Sequence, residues 1–344
     1  MEENFHDQLS PNPETNNNCI KCNSPDILAG YPNKLCAPCR QSLINFPIPL
    51  WVKLFGAGVA VVMLISLIWL PGNLKAAIAL ERAEKAEKSL NYVTAQRELE
   101  KARKIVPGSV DVLSNLLIAG FNNTDFSAVA TAFQGLKDKK ITDTVLFNKL
   151  THVVNLSTEY FPSDSFRVAF KDYKTAIPDT ALKRYLKKYT GDVYAVFALA
   201  SVYSDQEKYQ LSDSVLSLSL NIDPAYQWSL NMKSMVKRQL GELDSSLYYA
   251  DRMLATNHEC EFALSSKART LLKMGKNKEG LQLAQHCYAL DKAMPYNMAT
   301  MAMAYHFNKD FKQRDAMIRL SEKDSLTAGY MTFVKDVIAN KVKF

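Results

Sequence analysis

Residues 193–226, VYAVFALASVYSDQEKYQLSDSVLSLSLNIDPAY, and residues 261–294, EFALSSKARTLLKMGKNKEGLQLAQHCYALDKAM, decide the fold. In each, apolar residues recur at intervals of three and four through two stretches separated by a polar break, the period of two amphipathic helices. Placing Gly275 under Gly241 gives an offset of 34 residues. The same offset carries Asp223-Pro224 to Asn257-His258 and Asp291-Lys292, and Tyr209 to Leu243, Asn277 and Phe311. The units are therefore 193–226, 227–260, 261–294 and 295–328. No sustained apolar–polar alternation occurs from 74 to 344, so the whole region reads as helix.

A 34-residue period with two helices per unit resembles the tetratricopeptide repeat family. In 193–226, Leu199, Ala200 and Tyr203 fill the first-helix positions that the family gives to leucine, a small residue and tyrosine, and Leu216 stands where an aromatic is usual. In 261–294 the small residue is Ala268, Gly275 makes the turn, and Gly280 takes an alanine place. Unit 227–260 departs more: Lys233 and Lys237 occupy apolar positions, which predicts disturbed packing there. A further unit fits at 76–109, with Ala83, Tyr92, Ala95, Leu99, Ala102 and Pro107 in the matching slots. Residues 110–192 keep the helical period but lose the consensus, and the offset from 76 to 193 is 117, so this segment is expected to hold an irregular insertion. The resemblance implies an all-α solenoid of stacked helix hairpins with a concave binding face. Met331, Phe333, Val334, Val337 and Ile338 in the last segment suit a capping helix.

Before the repeats, residues 50–70 read LWVKLFGAGVAVVMLISLIWL, and the 21 residues between Lys53 and Lys75 carry no charge. Such a helix is about 30 Å long, the thickness of the hydrocarbon layer. Trp51 and Trp69 lie near its two ends, where amphipathic rings favour the interface, and Lys53 is close enough to one end to snorkel. Pro47 and Pro49 precede it, and Pro71-Gly72-Asn73 is expected to stop it. A buried core helix is the competing reading, but such a helix rarely lacks a polar face over this length.

Four of the six cysteines fall at Cys19, Cys22, Cys36 and Cys39, a C-x2-C-x13-C-x2-C pattern within residues 19–45. Each pair brings two sulfurs to one side of a tight turn, and two such turns complete a tetrahedral thiolate site. The segment resembles a zinc ribbon or treble-clef finger, which implies one structural zinc ion; two disulfides are the alternative. So short a segment builds no adequate core, and the metal would supply most of its folding energy. Residues 1–18, polar and with two prolines, read as a disordered tail without the pattern of a cleavable signal peptide.

Composition narrows the function. Only 12 glycines in 344 residues count against an open α/β enzyme, which needs glycine-rich turns at strand ends. No HExxH, GxSxG, P-loop or GxGxxG pattern occurs, and His258-Glu259-Cys260 falls in a turn between repeats. A closed four-thiolate site leaves no position for a reacting water. These readings point away from an enzyme. The net charge of +7 is mild, and residues 19–40 hold only Lys21, Lys34 and Arg40 with no aromatic beyond Tyr31, so neither a basic stripe nor a base-stacking platform supports nucleic-acid binding.

The expected role is therefore a single-pass membrane scaffold that holds a protein or peptide partner. The alternative is an accessory subunit whose zinc module recognises the partner while the repeats act as spacer or self-association surface. Charge does not orient the helix, since Lys34, Arg40 and Lys53 precede its core and Lys75, Arg82, Lys85 and Lys88 follow. Thiols kept reduced for zinc favour a cytoplasmic N-terminus and extracytoplasmic repeats. Tyr194, Trp228, Phe262 and Tyr296 recur every 34 residues. The positions that line the concave face in the resembling family add Phe197, Asn231, Met235, Arg238, Arg269, Met303 and His306 as partner-binding candidates. Packing between adjacent repeats is the competing reading for the four rings. Cys260 and Cys287, at neighbouring helix ends if the helices run antiparallel, read as two buried thiols or as a pair.

Overall fold

A left-handed backbone residue ends the first helix of each regular repeat. Gly241 (φ +81°) and Gly275 (φ +77°) adopt it without steric cost, and the same place is held by Leu90, Thr124, Glu207 and Lys309 at φ of 55 to 63°. Thr124 stands 34 residues after Leu90, which marks 110–143 as a repeat that the sequence pattern did not recover.

The computed structural model describes residues 17–44, 48–173, 176–322, 325–342 and 344, with backbone alone at 68–70 and 325–326. The expected disordered tail, residues 17 and 18 apart, lies outside the described residues, as do Pro47 and the side chain of Trp69. The chain divides into two units, Met1–Leu70 and Pro71–Phe344.

In the second unit, the end of helix α2 (Leu50–Lys88) pairs with α3 (Tyr92–Ile105), and α4 (Val110–Asn122) with α5 (Phe126–Leu136). Helix α6 (Thr144–Ser157) keeps the register. It then breaks through a 3-10 turn (Thr158–Tyr160), α7 (Asp164–Phe170) and α8 (Asp179–Leu186), so the insertion is narrower than 110–192. Four hairpins follow: α9 (Val193–Asp205) with α10 (Tyr209–Ile222), α11 (Gln227–Gln239) with α12 (Leu243–Leu254), α13 (Glu261–Lys273) with α14 (Asn277–Leu290), and α15 (Pro295–Phe307) with α16 (Phe311–Ser321). Helix α17 (Ser325–Ile338) packs Met331, Val334 and Val337 against α15 and closes the array. The described residues contain helices and no strand, the architecture of a tetratricopeptide-like α-solenoid.

The core follows the repeat slots. Ala83, Ala95, Leu99 and Ala102 are buried in the first repeat, as are Leu199, Ala200, Tyr203 and Leu216 in 193–226 and Ala268 in 261–294. Small residues let the paired helices approach. A Cβ on Gly280 would come 2.8 Å from the Leu272 side chain, so alanine does not fit that place without movement. The disturbance expected at Lys233 and Lys237 is absent. Lys233 is buried, and its Nζ donates to Asp213 O at 2.8 Å, Asp213 Oδ1 at 2.9 Å and Ser217 Oγ at 2.7 Å, across the boundary between repeats. Lys237 bridges Asp213 and Glu242 at 3.1 and 2.8 Å. A buried ammonium is tolerated because all three of its donors are used.

The array also contacts itself. The turn at 257–260 receives the first repeat: Thr94 N and Oγ1 donate to Glu259 at 2.7 and 2.6 Å, and His258 N donates to Leu90 O at 2.8 Å. Asn257 Nδ2 donates to Asn122 O at 3.3 Å. His258-Glu259 is thus a turn, as read, and also the seat of a long-range contact.

In the first unit, α1 (Ala37–Ile44) follows Cys36, and α2 starts after Pro49, whose carbonyl accepts from Val52 and Lys53. The stop expected at Pro71-Gly72-Asn73 does not occur: α2 is one helix of 39 residues through Pro71. A proline removes its own N–H and crowds the carbonyl four residues earlier, at about 3 kcal/mol. One helix among the described residues is long and apolar enough to cross a membrane, and its apolar side chains from Leu50 to Leu67 are largely exposed.

Candidate functional sites: a four-thiolate centre and the face of the first helices

The two CxxC turns fold onto each other. Cys19 N donates to Ser24 O and Asn23 N to Cys19 O, both at 2.8 Å, with Asn23 left-handed at φ 61°. Ile20 N to Lys34 O and Leu28 N to Leu35 O, both 3.0 Å, tie the first turn to the second. The four Sγ atoms of Cys19, Cys22, Cys36 and Cys39 all lie within 4.8 Å of one another. Ligands about 2.3 Å from a tetrahedral ion stand roughly 3.8 Å apart, so the cluster fits a metal. All four cysteines are free thiols, and no disulfide joins them.

The electrostatics of the cluster favour a cation. Backbone N–H groups of Cys36, Cys22 and Lys21 point at Cys19 and hold its thiol down at about 6. Cys39 is pushed up to about 12, first by Cys22 and then by Cys36 beside it. Crowded sulfurs ionise together only when a cation takes up the charge. Arg40, on α1, lies 3.5 Å above the Tyr31 ring, so the one aromatic of the module is partly covered.

In the repeats, the first helices α9, α11, α13 and α15 run side by side. Phe197, Trp228, Asn231, Met235, Phe262 and Tyr296 from these four helices line one cavity of about 490 Å³. Met232, Tyr330 and Thr124 also line it, and sequence reasoning missed them. Tyr330 belongs to the capping helix. Thr124 is the left-handed turn residue of the hidden repeat, so the first repeats overhang this face.

The four rings spaced by 34 residues are all half-buried. They meet in pairs, Tyr194–Trp228 at 6.4 Å and Phe262–Tyr296 at 6.1 Å between centroids. Trp228 also touches Phe126, Tyr160, Phe197 and Tyr226 at 5.4 to 6.1 Å. Tyr194 is not part of the cavity; it lines a separate one with Ser163, Tyr185 and Asp192.

Four candidates depart from the expected open face. Met303 is fully buried, because α17 covers α15 with Met331, Val334 and Val337. His306 is half-buried at the far end, 3.3 Å from Arg314 through Nδ1, and burial followed by Arg314 lowers its pKa. Arg238 and Arg269 are 4% and 7% exposed. Arg238 Nη1 donates to Ser266 Oγ at 3.0 Å, at the end of a buried hydroxyl network of Ser234, Ser246, Ser266 and Thr270. Arg269 Nε donates to Thr300 Oγ1 at 2.9 Å, and its guanidinium lies 4.1 Å from the Tyr296 ring centroid. Cys260 and Cys287 are buried and unpaired; Cys287 Sγ contacts Asn297 Oδ1 at 3.1 Å.

No known family profile matches the chain, and no curated protein matches it. Among solved structures, a tetratricopeptide repeat protein from Parabacteroides merdae is 13% identical over 73% of this chain and 80% of its own, with a TM-score of 0.40. Pseudomonas aeruginosa PilF is 11% identical, over 76% and 98%, with a TM-score of 0.35. YrrB, described as a TPR protein with an unusual peptide-binding site, is 14% identical, over 58% and 96%, with a TM-score of 0.34.

Proposed function

We propose that this chain is a membrane-anchored scaffold that captures a protein or peptide partner on the face of its first helices. The observation that carries the reading is the single cavity of about 490 Å³ to which four successive hairpins contribute Phe197, Trp228, Asn231, Met235, Phe262 and Tyr296. Large aromatic and flexible methionine walls with two amides, Asn231 and Gln227, suit the side chains of an extended segment. The exposed apolar run at the start of α2 supports anchoring, since side chains such as Trp51 and Phe55, both 69% exposed, cost free energy in water and none in lipid. Zinc held by Cys19, Cys22, Cys36 and Cys39 would fold the N-terminal module.

A second reading gives recognition to that module. It is supported by Ile20 and Ile44, which are 73% and 74% exposed on so small a body. Crosslinking from the cavity wall, with and without residues 1–45, separates the two: capture that survives the deletion belongs to the repeats.

The thiolate cluster also supports a cytoplasmic N-terminus and extracytoplasmic repeats, because free thiols persist in a reducing compartment. In intact cells, a Lys341→Cys chain should react with a membrane-impermeant maleimide. Reaction only after lysis would place the repeats inside.

A further inference from the structure

The insertion between α6 and the regular repeats builds a cavity of its own, about 490 Å³, where the 3-10 turn and the end of α8 meet the start of α9. It shares no lining residue with the cavity of the first helices. Four aromatic side chains wall it: Phe161, Tyr185, Tyr189 and Tyr194. Tyr185 and Tyr189 stack at 4.5 Å between centroids, and Phe161 is 43% exposed. Two acids, Glu159 and Asp192, line the same cavity, and no lysine, arginine or histidine does. Neither acid forms an ion pair among the described residues. Gly191, Val193 and Ile222 complete the wall without adding charge.

The hydroxyl protons of the wall are already committed. Ser163 Oγ and Tyr185 OH donate to Asp192 Oδ2 at 2.8 and 2.7 Å, and Thr158 Oγ1 donates to Asn155 O at 2.6 Å. Ser165 hydrogen-bonds the Tyr189 hydroxyl. The Tyr194 hydroxyl, with no protein partner among the described residues, is open to accept from a bound donor. What the wall offers a ligand is therefore oxygen lone pairs, carboxylate charge and rings, the complement of a cation. An anion has no place there. The first turn of α9 opens on this side, but Asp192 caps it, accepting from Ala195 N at 2.9 Å, so the positive end of the helix already meets a negative charge. One cation of the fold sits against this wall: Lys188, which does not line the cavity, holds its Nζ 5.0 Å from the centroid of the Tyr189 ring and leaves both carboxylates unpaired.

We infer that this cavity binds a small aliphatic diamine, with one ammonium held by Glu159, the other by Asp192, and the methylene chain against the aromatic walls. The two ammonium groups bring the donors and the positive charge that the wall lacks, and the methylenes cover rings that would otherwise face water. The site is independent of the groove reading, since the two cavities have no residue in common.

The test is isothermal titration calorimetry of the full chain in dodecyl maltoside, a detergent without an ammonium group. The titrants are 1,4-diaminobutane, n-butylamine, 1,4-butanediol, tetramethylammonium and calcium. The diamine should bind at about one per chain, the monoamine about tenfold more weakly, and the diol not at all, because hydrogen bonds between charged groups are the strong ones. Glu159→Gln and Asp192→Asn should each weaken the diamine about tenfold. Both variants keep the fold. Glu159 is exposed and engages only its backbone carbonyl, and asparagine caps a helix as well as aspartate does. If Asp192→Asn lowers the thermal midpoint, Glu159→Gln alone decides. Diamine binding unchanged in Glu159→Gln overturns the site, as does no binding of the diamine. Equal affinity for n-butylamine overturns the two-ended ligand. Equal affinity for tetramethylammonium shows that the rings act without the acids, and calcium binding as tightly as the diamine shows an acidic patch without selectivity; either result overturns the assignment.

Discussion

Replacing Cys36 with serine should leave a chain that gives up its zinc to a chelator, with residues 19–40 unfolded while the repeats stay folded. The described module buries Cys19, Leu35 and Cys36, with Ile27 and Cys39 packed partly against them. That is far too little apolar surface to offset the entropy of ordering the segment. A structural four-thiolate zinc contributes about 10–16 kcal/mol in comparable small modules, so a zinc ion held by these four sulfurs would decide whether the module folds. Three remaining sulfurs still bind zinc, but with an open position and much weaker retention. Metal analysis of the purified full chain should give one zinc per wild-type molecule and none for the variant after dialysis against a chelator. Amide exchange should show protection lost at Cys19 to Arg40 and kept in α9 to α15. Full zinc retention in the variant would disprove the site.

Trp228→Ala should cost the repeat region about 3 kcal/mol, at the lower end for removing a large aromatic from a packed position. Trp228 is half-buried, yet its ring meets Phe126, Tyr160, Tyr194, Phe197 and Tyr226. Phe126 and Tyr160 come from segments outside the regular repeats 193–328, so this side chain fastens the overhanging first repeats to the row of first helices. Urea unfolding followed by circular dichroism should show a lower midpoint with an unchanged slope. A midpoint within error of wild type would mean that the ring serves the cavity and not the fold. The same reasoning makes Trp228→Ala a poor probe of binding, because loss of capture would follow from loss of structure.

The repeat period was legible because Gly241 and Gly275 advertise a left-handed turn, and Asp223-Pro224 a helix end. The repeat at 110–143 was not, because Thr124 makes the same turn without glycine and the alanine slots change identity. Lys233 read as a defect because its compensation, Asp213 and Ser217, lies on the preceding repeat's second helix. Local pattern carries no trace of such a pairing. The contact of Thr94 with Glu259 spans 165 residues and joins the start of α3 to a turn between repeats, a pairing of which periodicity says nothing. For the face of the first helices, register located the residues correctly on their helices, but depth depends on neighbours. Arg238 and Arg269 sink because Ser266, Thr270 and Thr300 offer hydroxyls at the next repeat, and Met303 sinks because α17 lies over it. The clustering of the four cysteines was legible, since bringing two CxxC turns together is a matter of spacing within one short segment.

The central claim is that a partner occupies the cavity walled by the first helices, and photocrosslinking from that wall tests it most directly. A photoreactive phenylalanine analogue at Asn231 places the probe in the cavity, and the same analogue at Leu218, 57% exposed on the second helix α10, serves as the control. In membranes of cells making the full chain, irradiation should yield a discrete adduct from position 231 and none from 218. The adduct should persist when residues 1–45 are removed. Adducts from both positions alike, or from neither, would contradict the account.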